Sequence, residues 1–376
     1  MSKIKIVKQR EIKPAKERKA RKKLSKYVFV TVAVLLVAAL ALMWALPNLP
    51  RKPQTLPKAS YKGVIELWNV EAFEGGSGSR GSWLTNKSAK FEQTNRGLFV
   101  HVTTLTEQEA RQKLQDGQAF DIICFCRGIG DDVKQRLAPL TLDTKQLRDN
   151  MLLAGQFDNK QYAVPLYAGA YCLFARTSQL AEEDLLNKAL TQTYTRKIGK
   201  NTVELSPLVC GFTQSNSPLT ALAMSGGKGS ADGIAEDVTQ YQAYERFVSN
   251  RSAVTLLGTQ RDLFRLSQRE QNGKIEQLGF CPLSGYTDLV QFVGVSVDCG
   301  EKFASAQEYL QYLISDEVQS GLVGLSVFTA LDKSFYTDER YAAIERGLSS
   351  AFVPNVFADF NVVANQRQTA KSTLNI

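Results

Sequence analysis

The sequence predicts an α/β protein in which two lobes with doubly wound sheets follow a single membrane-spanning helix. An uncharged run of twenty residues stands near the N-terminus, and strand-like and helix-like segments alternate after residue 60. The chain has 376 residues, of which 44% are hydrophobic and 22% charged, a composition typical of globular proteins. The roughly 310 residues after the apolar run are enough for two lobes.

The net charge of +9 is confined to one end of the chain. Residues 1–26 carry twelve Lys and Arg against two Glu, a charge of +10, whereas the rest of the chain carries −1. Because residues 27–376 are almost neutral, the net charge of the whole chain does not indicate nucleic-acid binding. A single histidine, His101, argues against His-dependent catalytic triads and multi-histidine metal sites.

The apolar run at residues 27–46, YVFVTVAVLLVAALALMWAL, is long enough as a helix to cross a hydrocarbon core of about 30 Å. The positive-inside rule then places the basic tail 1–26 in the cytoplasm and the main domain outside the cell membrane. A cleaved signal peptide is the alternative. It fits less well, because the run exceeds the usual length of about 7–15 residues and Pro47 and Pro50 stand where a cleavage site would be. Residues 47–60 are a proline-rich linker.

The first lobe begins with alternating strands and helices. Residues 64–70, 98–104 and 121–126 have strand patterns, and residues 82–95 have helical spacing. Thr106 and Glu109 form a capping-box pattern that opens a helix ending near Gly117. This order predicts right-handed crossovers and a mostly parallel sheet.

A second compact region begins near residues 162–176. Patterns of a helix at 241–248, a strand at 253–257, a helix at 263–269, a strand at 292–297 and a helix from Phe303 to Leu313 follow. Together with the first region, these patterns predict two α/β lobes.

A glycine-rich loop follows the first strand. Gly76 to Gly81 match G-x-G-x-x-G, but the four residues Glu71–Glu74 separate the glycines from the strand, and the extracellular location argues against a dinucleotide. A loop that exposes backbone N–H groups at a helix N-terminus suits a polar or anionic ligand, and a plain flexible turn is the alternative. The candidate ligand-binding residues here are Glu71, Glu74, Gly75, Gly76, Ser79 and Arg80.

A second polar segment lies at the end of a predicted strand. Thr259, Gln260 and Arg261 could hydrogen-bond a polyhydroxylated ligand, whereas Asp262 equally suits a helix cap that contacts Arg261. We expect Arg80 and Gln260 to be surface side chains that reach a ligand without supporting the core.

Aromatic residues at predicted strand ends could stack on a sugar or simply pack in the core: Trp68, Phe73, Phe125, Tyr167, Tyr171, Phe212 and Tyr286. Asp288, beside Tyr286, completes the predicted ligand set.

Enzyme signatures are absent from the sequence. It has no G-x-S-x-G, no H-E-x-x-H, no P-loop motif and no Asp-x-Asp pair, and Glu71 and Glu74 are a weak acid/base pair. We predict no catalytic residue, no metal and no cofactor.

The six cysteines show neither CxxC nor zinc-like spacing. Disulfides are permitted outside the cell, but the sequence leaves their pairing open.

Several segments together carry a family resemblance over about residues 62–350: IELWNVEAFEGGSGSR, DIICF, YAVPLYAG, LLGTQRDL and GYTDLVQFVGVSV. The chain resembles the family 1 extracellular solute-binding proteins of ABC transporters. The resemblance implies the two-lobed type II periplasmic-binding-protein fold, with chain crossings near 164–169, 283–291 and 324–330 and a ligand held in the cleft for delivery to a permease. These crossings assign residues 61–165 with 290–326 to one lobe and residues 166–289 with 327–376 to the other. The membrane anchor departs from the family pattern, as do Cys124 and Cys126, which flank Phe125 where small polar residues are commoner.

The leading functional prediction is a membrane-anchored solute-binding protein that takes a sugar or oligosaccharide to an ABC transporter permease. Its partners would be that ligand, the permease and the lipid bilayer around the N-terminal helix, without nucleic acid. A ligand-sensing or scaffold protein of the same fold is the second hypothesis. A single-pass carbohydrate-active enzyme is the third, and the missing motifs argue against it.

Overall fold

The computed structural model describes residues 60–190, 194–211, 216–228, 238–249 and 253–375, together with Val34. The predicted basic tail, membrane-spanning helix 27–46 and linker lie outside these residues except for Val34 and Ser60, and so does Phe212. In the part of the chain that is described, no helix is both long and apolar enough to cross a membrane. Residues 57–376 form one compact unit.

Two large sheets organise this unit. The described strands, in chain order, are β1 (Gly63–Val70), β2 (Leu98–Leu105), β3 (Ile122–Phe125), β4 (Gln156–Phe157), β5 (Lys160–Gln161), β6 (Ala163–Ala168), β7 (Tyr171–Arg176), β8 (Tyr194–Ile198), β9 (Asn201–Cys210), β10 (Ala253–Thr259), β11 (Leu278–Pro282), β12 (Val290–Val295) and β13 (Phe328–Thr329). The first sheet has the order β13-β6-β12-β3-β1-β2 and the second β11-β7-β10-β9-β8, while β4 and β5 form a separate hairpin.

The described helices surround these sheets. They are α1 (Arg80–Thr94), α2 (Glu107–Gln115), α3 (Arg127–Val133), α4 (Asp149–Ala154), α5 (Leu185–Lys188), α6 (Pro218–Met224), α7 (Gln240–Ser249), α8 (Gln260–Gln271), α9 (Phe303–Leu313), α10 (Asp316–Gln319), α11 (Glu339–Leu348) and α12 (Phe360–Leu374). Short 3₁₀ segments lie at Lys134–Arg136, Glu182–Asp184, Val297–Lys302 and Ser320–Leu325.

The first sheet is mixed: the predicted parallel arrangement is confirmed for β1, β2 and β3 but does not extend to β12 and β13. β1 is parallel to β2 and β3, but β12 is antiparallel to β3 and β6, and β13 is antiparallel to β6. The reason is the chain path. β6 leads out toward the second sheet and β12 returns from it, so these two strands enter the first sheet by long-range connections rather than by helix crossovers.

The crossings between the sheets lie close to where the family resemblance places them. Residues 169–170 lead from β6 to β7, and residues 283–289 lead back from β11 to β12. Two details differ from the sequence prediction. Residues 162–176 are divided between the sheets because β6 belongs to the first. Phe328–Thr329 pair with β6, whereas the resemblance implies that the second lobe resumes at residue 327.

Local capping signals were correctly identified in the sequence. Thr106 and Glu109 form the expected capping box at α2. Helix α8 begins at Gln260, three residues earlier than predicted, because Thr259 and Asp262 form a second capping box there. The cap interpretation of Asp262 is therefore confirmed.

Strands β3, β10 and β12 are buried along their whole length, as expected for central strands covered on both faces.

All six cysteines are unpaired thiols, five of them buried and Cys281 half-buried. The thiol of Cys126 donates to Oε1 of Gln291 at 2.9 Å, and Nε2 of Gln291 donates to the carbonyl of Val70 at 3.0 Å. Burial raises the pKa of the Cys124 and Cys126 thiols. Both cysteines therefore behave as packing residues rather than nucleophiles.

Candidate functional site

The glycine-rich loop between β1 and α1 is a structured turn. Gly78 has φ of 67°, a left-handed conformation that favours glycine, and Oγ of Ser79 accepts a hydrogen bond from the N–H of Ser82 at 3.2 Å to cap α1. The N–H groups of Gly76 and Ser77 both donate to the carbonyl of Leu325, at 3.0 and 3.3 Å. These two N–H groups are thus satisfied by the protein itself, which differs from the expected exposed cradle.

Arg80 is buried, contrary to the sequence expectation of a surface position. It is 7% exposed, its Nη2 lies 3.1 Å from Oε2 of Glu71, and its guanidinium carbon lies 5.5 Å from the ring centre of Phe73. The pairing with Glu71 and the aromatic contact hold the side chain against the loop that follows β1.

Glu74 connects the loop to the second sheet. Its Oε2 accepts hydrogen bonds from Nη1 of Arg261 at 3.2 Å and from Nη2 of Arg265 at 3.3 Å. Its main-chain carbonyl accepts a hydrogen bond from Nε2 of Gln260 at 2.9 Å. The loop at 71–80 and the segment at 258–262, which the sequence placed on opposite walls of one cleft, are therefore in direct contact in this conformation.

The segment at 258–262 is fixed by its own hydrogen bonds. Oε1 of the fully buried Gln260 accepts from the N–H of Ala170 at 2.9 Å, and Oδ2 of Asp262 accepts from the N–H of Thr259 at 2.9 Å. A Cβ at Gly258 would lie 2.5 Å from Oδ2 of Asp262, so only glycine fits beside this cap. Arg261, 2% exposed, is held between Asp262 at 2.7 Å and Glu74.

Gly75 and Gly76 are required by close packing. A Cβ on Gly75 would lie 2.6 Å from the carbonyl oxygen of Leu325, and one on Gly76 would lie 2.5 Å from Cβ of Ser326 and 2.7 Å from Cβ of Phe264. The loop therefore fits between the end of the Ser320–Leu325 segment and α8, and any larger residue would separate them.

A second polar cluster lies where the chain returns from the second sheet to the first. Asp288 accepts hydrogen bonds from the hydroxyl groups of Tyr171 at 2.6 Å and Tyr286 at 3.1 Å. Nη1 of Arg127 donates to the hydroxyl of Tyr286 at 2.8 Å and lies 4.0 Å from Oδ2 of Asp288. Burial raises the pKa of Asp288, although the tyrosine hydroxyls and Arg127 oppose the change.

Arg127 also reaches the C-terminal helix. Its Nη2 donates to Oε1 of Gln366 on α12 at 2.8 Å, and its Nε has no hydrogen-bond partner among the described residues although the side chain is only 5% exposed. Next to this contact, Nη2 of Arg367 donates to the carbonyl of Asn216 at 2.5 Å. The cluster therefore joins the first sheet, the second sheet and α12.

The predicted stacking aromatics are covered in this conformation. Trp68 lies in the hydrophobic core with its ring centre 5.2 Å from that of Phe120, and Phe125 is fully buried. Tyr167 is 2% exposed, and its hydroxyl has no partner among the described residues. Burial raises the pKa of this hydroxyl. These placements favour packing over sugar contact for Trp68 and Phe125, whereas the orphaned hydroxyl of Tyr167 stays open to a ligand.

The sequence interpretation missed Arg127 and Gln366. Arg127 lies two residues after the end of β3. A polar residue near the carboxyl end of a buried strand is a usable signal, because ligand crevices lie at that edge of such sheets. Gln366 lies on a polar C-terminal helix, and nothing in its local pattern distinguishes it from a solvent-facing residue.

The chemistry available at these two clusters is that of hydrogen bonding. Glu71 and Glu74 are each paired with an arginine, which argues against their use as an acid/base pair. In the described part of the chain, no group of three or more His, Cys, Asp or Glu side chains is placed to hold a metal ion.

No family model matches the chain, and no curated protein sequence matches it significantly. Solved structures do match. The GacH receptor of Streptomyces glaucescens, solved unliganded and with acarbose, has a TM-score of 0.56 at 14% identity over 84% of this chain and 94% of that one. The sugar-binding protein MalE of Xanthomonas citri has a TM-score of 0.58 at 13% identity over 83% and 92%. The cyclic α-maltosyl-1,6-maltose binding protein of Arthrobacter globiformis has a TM-score of 0.52 at 12% identity over 84% and 100%.

These neighbours define the class of fold. The chain has the mixed α/β, two-sheet fold of sugar-binding proteins, and the resemblance seen in the sequence is confirmed at the level of the fold. The neighbours reported are receptors or binding proteins. At 12–14% identity the similarity concerns the fold alone.

Proposed function

We propose that the chain is a membrane-anchored extracytoplasmic solute-binding protein that captures a small carbohydrate between its two lobes and delivers it to the permease of an ABC transporter. The observation that carries the proposal is the convergence of the 71–80 loop and the 258–262 segment at Glu74, on a fold shared with sugar-binding proteins. Two lobes that touch through polar groups can separate and close again around a polar ligand.

The anchor and the location are part of this proposal. The uncharged run at 27–46 and the basic tail support a single-pass protein of the cell membrane with a cytoplasmic N-terminus. The fold and the described sites support a binding role rather than an enzymatic one. Delivery to a permease follows from the family resemblance of segments such as LLGTQRDL and GYTDLVQFVGVSV.

The candidate sugar-binding groups are those that already form hydrogen bonds across the contact. Gln260, Arg261 and Glu74 offer an amide, a guanidinium and a carboxylate within one small region. On opening, these groups would exchange their mutual hydrogen bonds for hydrogen bonds to sugar hydroxyls. Arg80, Tyr167 and the Tyr286–Asp288 pair would complete the wall on the first sheet and the crossing segments.

The proposal is tested by screening the full-length protein in lipid nanodiscs against a panel of neutral sugars that includes maltose, maltotetraose and acarbose. A bound ligand raises the stability by about 2.7 kcal/mol at a concentration one hundred times its Kd, which is visible in a thermal melt. Binding of one sugar, measured by isothermal titration and weakened by Glu74→Gln and Gln260→Ala, would support the proposal. The absence of binding to every sugar in the panel would contradict the carbohydrate assignment.

A ligand-sensing or scaffold protein is the second candidate function. It is favoured by the direct contact of Glu74 with Arg261 and Arg265, because a protein that bridges its own lobes can present a closed surface to a partner in the membrane. Sugar uptake in cells would separate the two functions. Loss of uptake when the gene is deleted supports transport, whereas unchanged uptake with intact sugar binding supports sensing.

A further inference from the structure

Helices α6 and α12 pack side by side and leave a cavity of about 380 Å³ between them. This volume lies in the range of about 300–1,000 Å³ that is typical of small-molecule sites. Among the described residues, those that line the cavity are all uncharged. The cavity lies outside the Glu74–Arg261 contact and contains none of the ligand-binding residues predicted from the sequence.

One buried hydroxyl group in the cavity wall has no partner. Thr220 on α6 is 5% exposed and lines the cavity, and its Oγ1 forms no hydrogen bond with any residue that the structure describes. A buried hydroxyl without a partner costs stability, and natural proteins retain few of them. The oxygen itself is covered by its neighbours, so a polar group in the cavity would reach it after a rotation of Thr220 about χ1, which exchanges the positions of the hydroxyl and methyl groups.

The facing wall on α12 supplies hydrogen-bond acceptors and a donor. Oγ1 of Thr369 and Oγ1 of Thr373 each donate to a carbonyl four residues earlier in the helix, at 2.9 Å, so their oxygen lone pairs remain as acceptors. Oε1 of Gln366 already accepts from Arg127, which leaves the amide N–H groups of Gln366 as donors. Acceptors of this kind match the hydroxyl groups of a ligand.

The rest of the lining is apolar. Met224 and Val362 are about half exposed at 48% and 43%, whereas Ala370 is buried. A cavity with apolar surface between hydroxyl and amide groups suits a molecule with one apolar face and several hydroxyl groups. A charged ligand would lose its hydration without gaining an ion pair from the lining residues.

We propose that the cavity between α6 and α12 is a second binding site, for a small uncharged molecule that carries hydroxyl groups on an apolar framework. The hydroxyl of Thr220 binds a polar group of that molecule, the threonines of α12 accept from its hydroxyls, and Met224 contacts its apolar face. This site uses neither the Glu74 loop nor the 258–262 segment. It touches the proposed sugar-binding wall only through Gln366, whose Oε1 accepts from Arg127 of the Tyr286–Asp288 cluster.

The test uses phenyl β-D-glucopyranoside as the probe and the full-length protein in lipid nanodiscs, with ¹³C-labelled methionine methyl groups. The chain has only Met1, Met43, Met151 and Met224, and Met151 is a fully buried core residue away from the cavity lining. We expect a saturable shift of the Met224 methyl resonance, assigned with Met224→Leu, and no shift of Met151. The absence of a saturable Met224 shift would overturn the proposal.

A matched pair of variants tests the role of the orphaned hydroxyl. Thr220→Val should weaken probe binding by about three- to tenfold and leave the melting temperature unchanged or higher, because the lost group has no partner to lose. Thr255→Val is the control, since Thr255 is fully buried in β10, its Oγ1 also lacks a partner among the described residues, and it does not line the cavity. Equal probe binding by Thr220→Val and wild type would overturn the proposal.

The charge of the ligand and the location of the site are tested separately. Phenyl β-D-glucuronide, which adds a carboxylate, should bind at least tenfold more weakly, and tighter binding would overturn the assignment to an uncharged ligand. If Glu74→Gln weakens probe binding and the Met224 methyl resonance does not shift, the probe binds at the Glu74–Arg261 contact instead. That result would overturn the second site and support the proposed function, so the failures of the two proposals can be distinguished.

Discussion

The carboxylate of Glu74, in the loop after the first strand, accepts a hydrogen bond from Nη1 of Arg261 at 3.2 Å, at the start of helix α8 on the second sheet. The two partners differ in their surroundings, because Arg261 is 2% exposed whereas the side chain of Glu74 is 55% exposed. The pair therefore joins two groups in different surroundings. The guanidinium of Arg261 is buried and also pairs with Asp262, whereas the carboxylate of Glu74 is partly screened by water. This arrangement suits a contact that opens and closes.

We expect Glu74→Gln to favour separation of the lobes in the absence of ligand. The variant removes the charge that Arg261 and Arg265 share, and a partly exposed pair of this kind contributes about 1 kcal/mol or less. Small-angle scattering from a chain that starts at residue 57 should show a larger radius of gyration than for wild type. Added salt at about 1 M should enlarge the wild type in the same direction, because the Debye length falls to about 3 Å.

The control for this variant is Glu339→Gln. Glu339 pairs with Arg346 within helix α11 at 2.5 Å, and both side chains are largely exposed. Its loss should leave the scattering unchanged. Identical scattering from wild type and Glu74→Gln at low salt would show that the Glu74 contact does not control the opening of the lobes.

Gln260→Ala should lower the free energy of unfolding by about 1–3 kcal/mol. The variant leaves the buried N–H of Ala170 and the carbonyl of Glu74 without the partners that the Gln260 amide provides at 2.9 Å. Urea denaturation measures the change. Gln268→Ala, at an exposed position of the same helix, is the control and should stay within about 0.5 kcal/mol of wild type. A loss equal to that of the control would mean that the two hydrogen bonds of the Gln260 amide do not stabilise the fold.

The sequence predicts local structure well because local structure depends on nearby residues. The capping box at Thr106 and Glu109 and the strand at 64–70 lie where the patterns place them. The mixed direction of the first sheet could not be predicted in this way. It depends on β12 pairing with β3 and β6 across more than a hundred residues, and no local pattern encodes that choice.

The site is less predictable than the fold for a related reason. Sequence patterns placed the segments of Glu74 and Gln260 on facing walls of one cleft, but they did not show that the two segments touch or that Gln260 is fully buried. They did not reveal that the Arg80 guanidinium would be buried against Glu71 and Phe73, because burial depends on how a loop folds back on its own lobe. The contact between Arg127 and Gln366 depends on where a distant C-terminal helix docks.

Asp288→Asn should change how stability depends on pH. Burial raises the pKa of Asp288 in the folded state above its ordinary value of 3.8, so the folded protein binds more protons than the unfolded chain above that pH. The contribution of Asp288 to stability is therefore fully present below its unfolded pKa and is lost as the pH rises through its folded pKa. We expect wild type to lose stability relative to Asp288→Asn as the pH increases from about 4 toward neutrality.

Urea denaturation at a series of pH values measures this difference, and Asp359→Asn serves as the control. The carboxylate of Asp359 caps α12 by accepting hydrogen bonds from the N–H groups of Asn361 and Val362, and this residue is exposed. A constant difference between wild type and Asp288→Asn across the pH series would mean that the hydroxyl groups of Tyr171 and Tyr286, together with Arg127, cancel the effect of burial.

The proposed topology predicts an asymmetric response to protease. In intact cells with the wall removed if necessary, added protease should digest an epitope placed after residue 60 and spare a tag at the N-terminus. The basis is the charge of +10 ahead of an uncharged run of twenty residues. Permeabilised cells provide the control, in which both epitopes should be digested. Protection of the C-terminal region in intact cells would contradict an extracytoplasmic main domain.

Trp68→Ala should destabilise the fold rather than act on the ligand directly. Trp68 is 5% exposed, its ring centre lies 5.2 Å from that of Phe120, and the Lys113 ammonium lies 5.8 Å from the ring. Removing such a buried ring costs about 3–5 kcal/mol through lost contacts and a residual cavity. Thermal melts and urea denaturation measure the loss.

The matched control is Phe352→Ala, because Phe352 is 48% exposed and stacks on Tyr286 with ring centres 6.2 Å apart. Its removal should cost about 1 kcal/mol or less, since much of its surface already contacts water. Isothermal titration on both variants, with the sugar that binds wild type, separates folding from recognition. If Trp68→Ala folds as stably as wild type and fails to bind that sugar, Trp68 is a ligand contact and the first lobe must open further than the packing of Trp68 on Phe120 suggests.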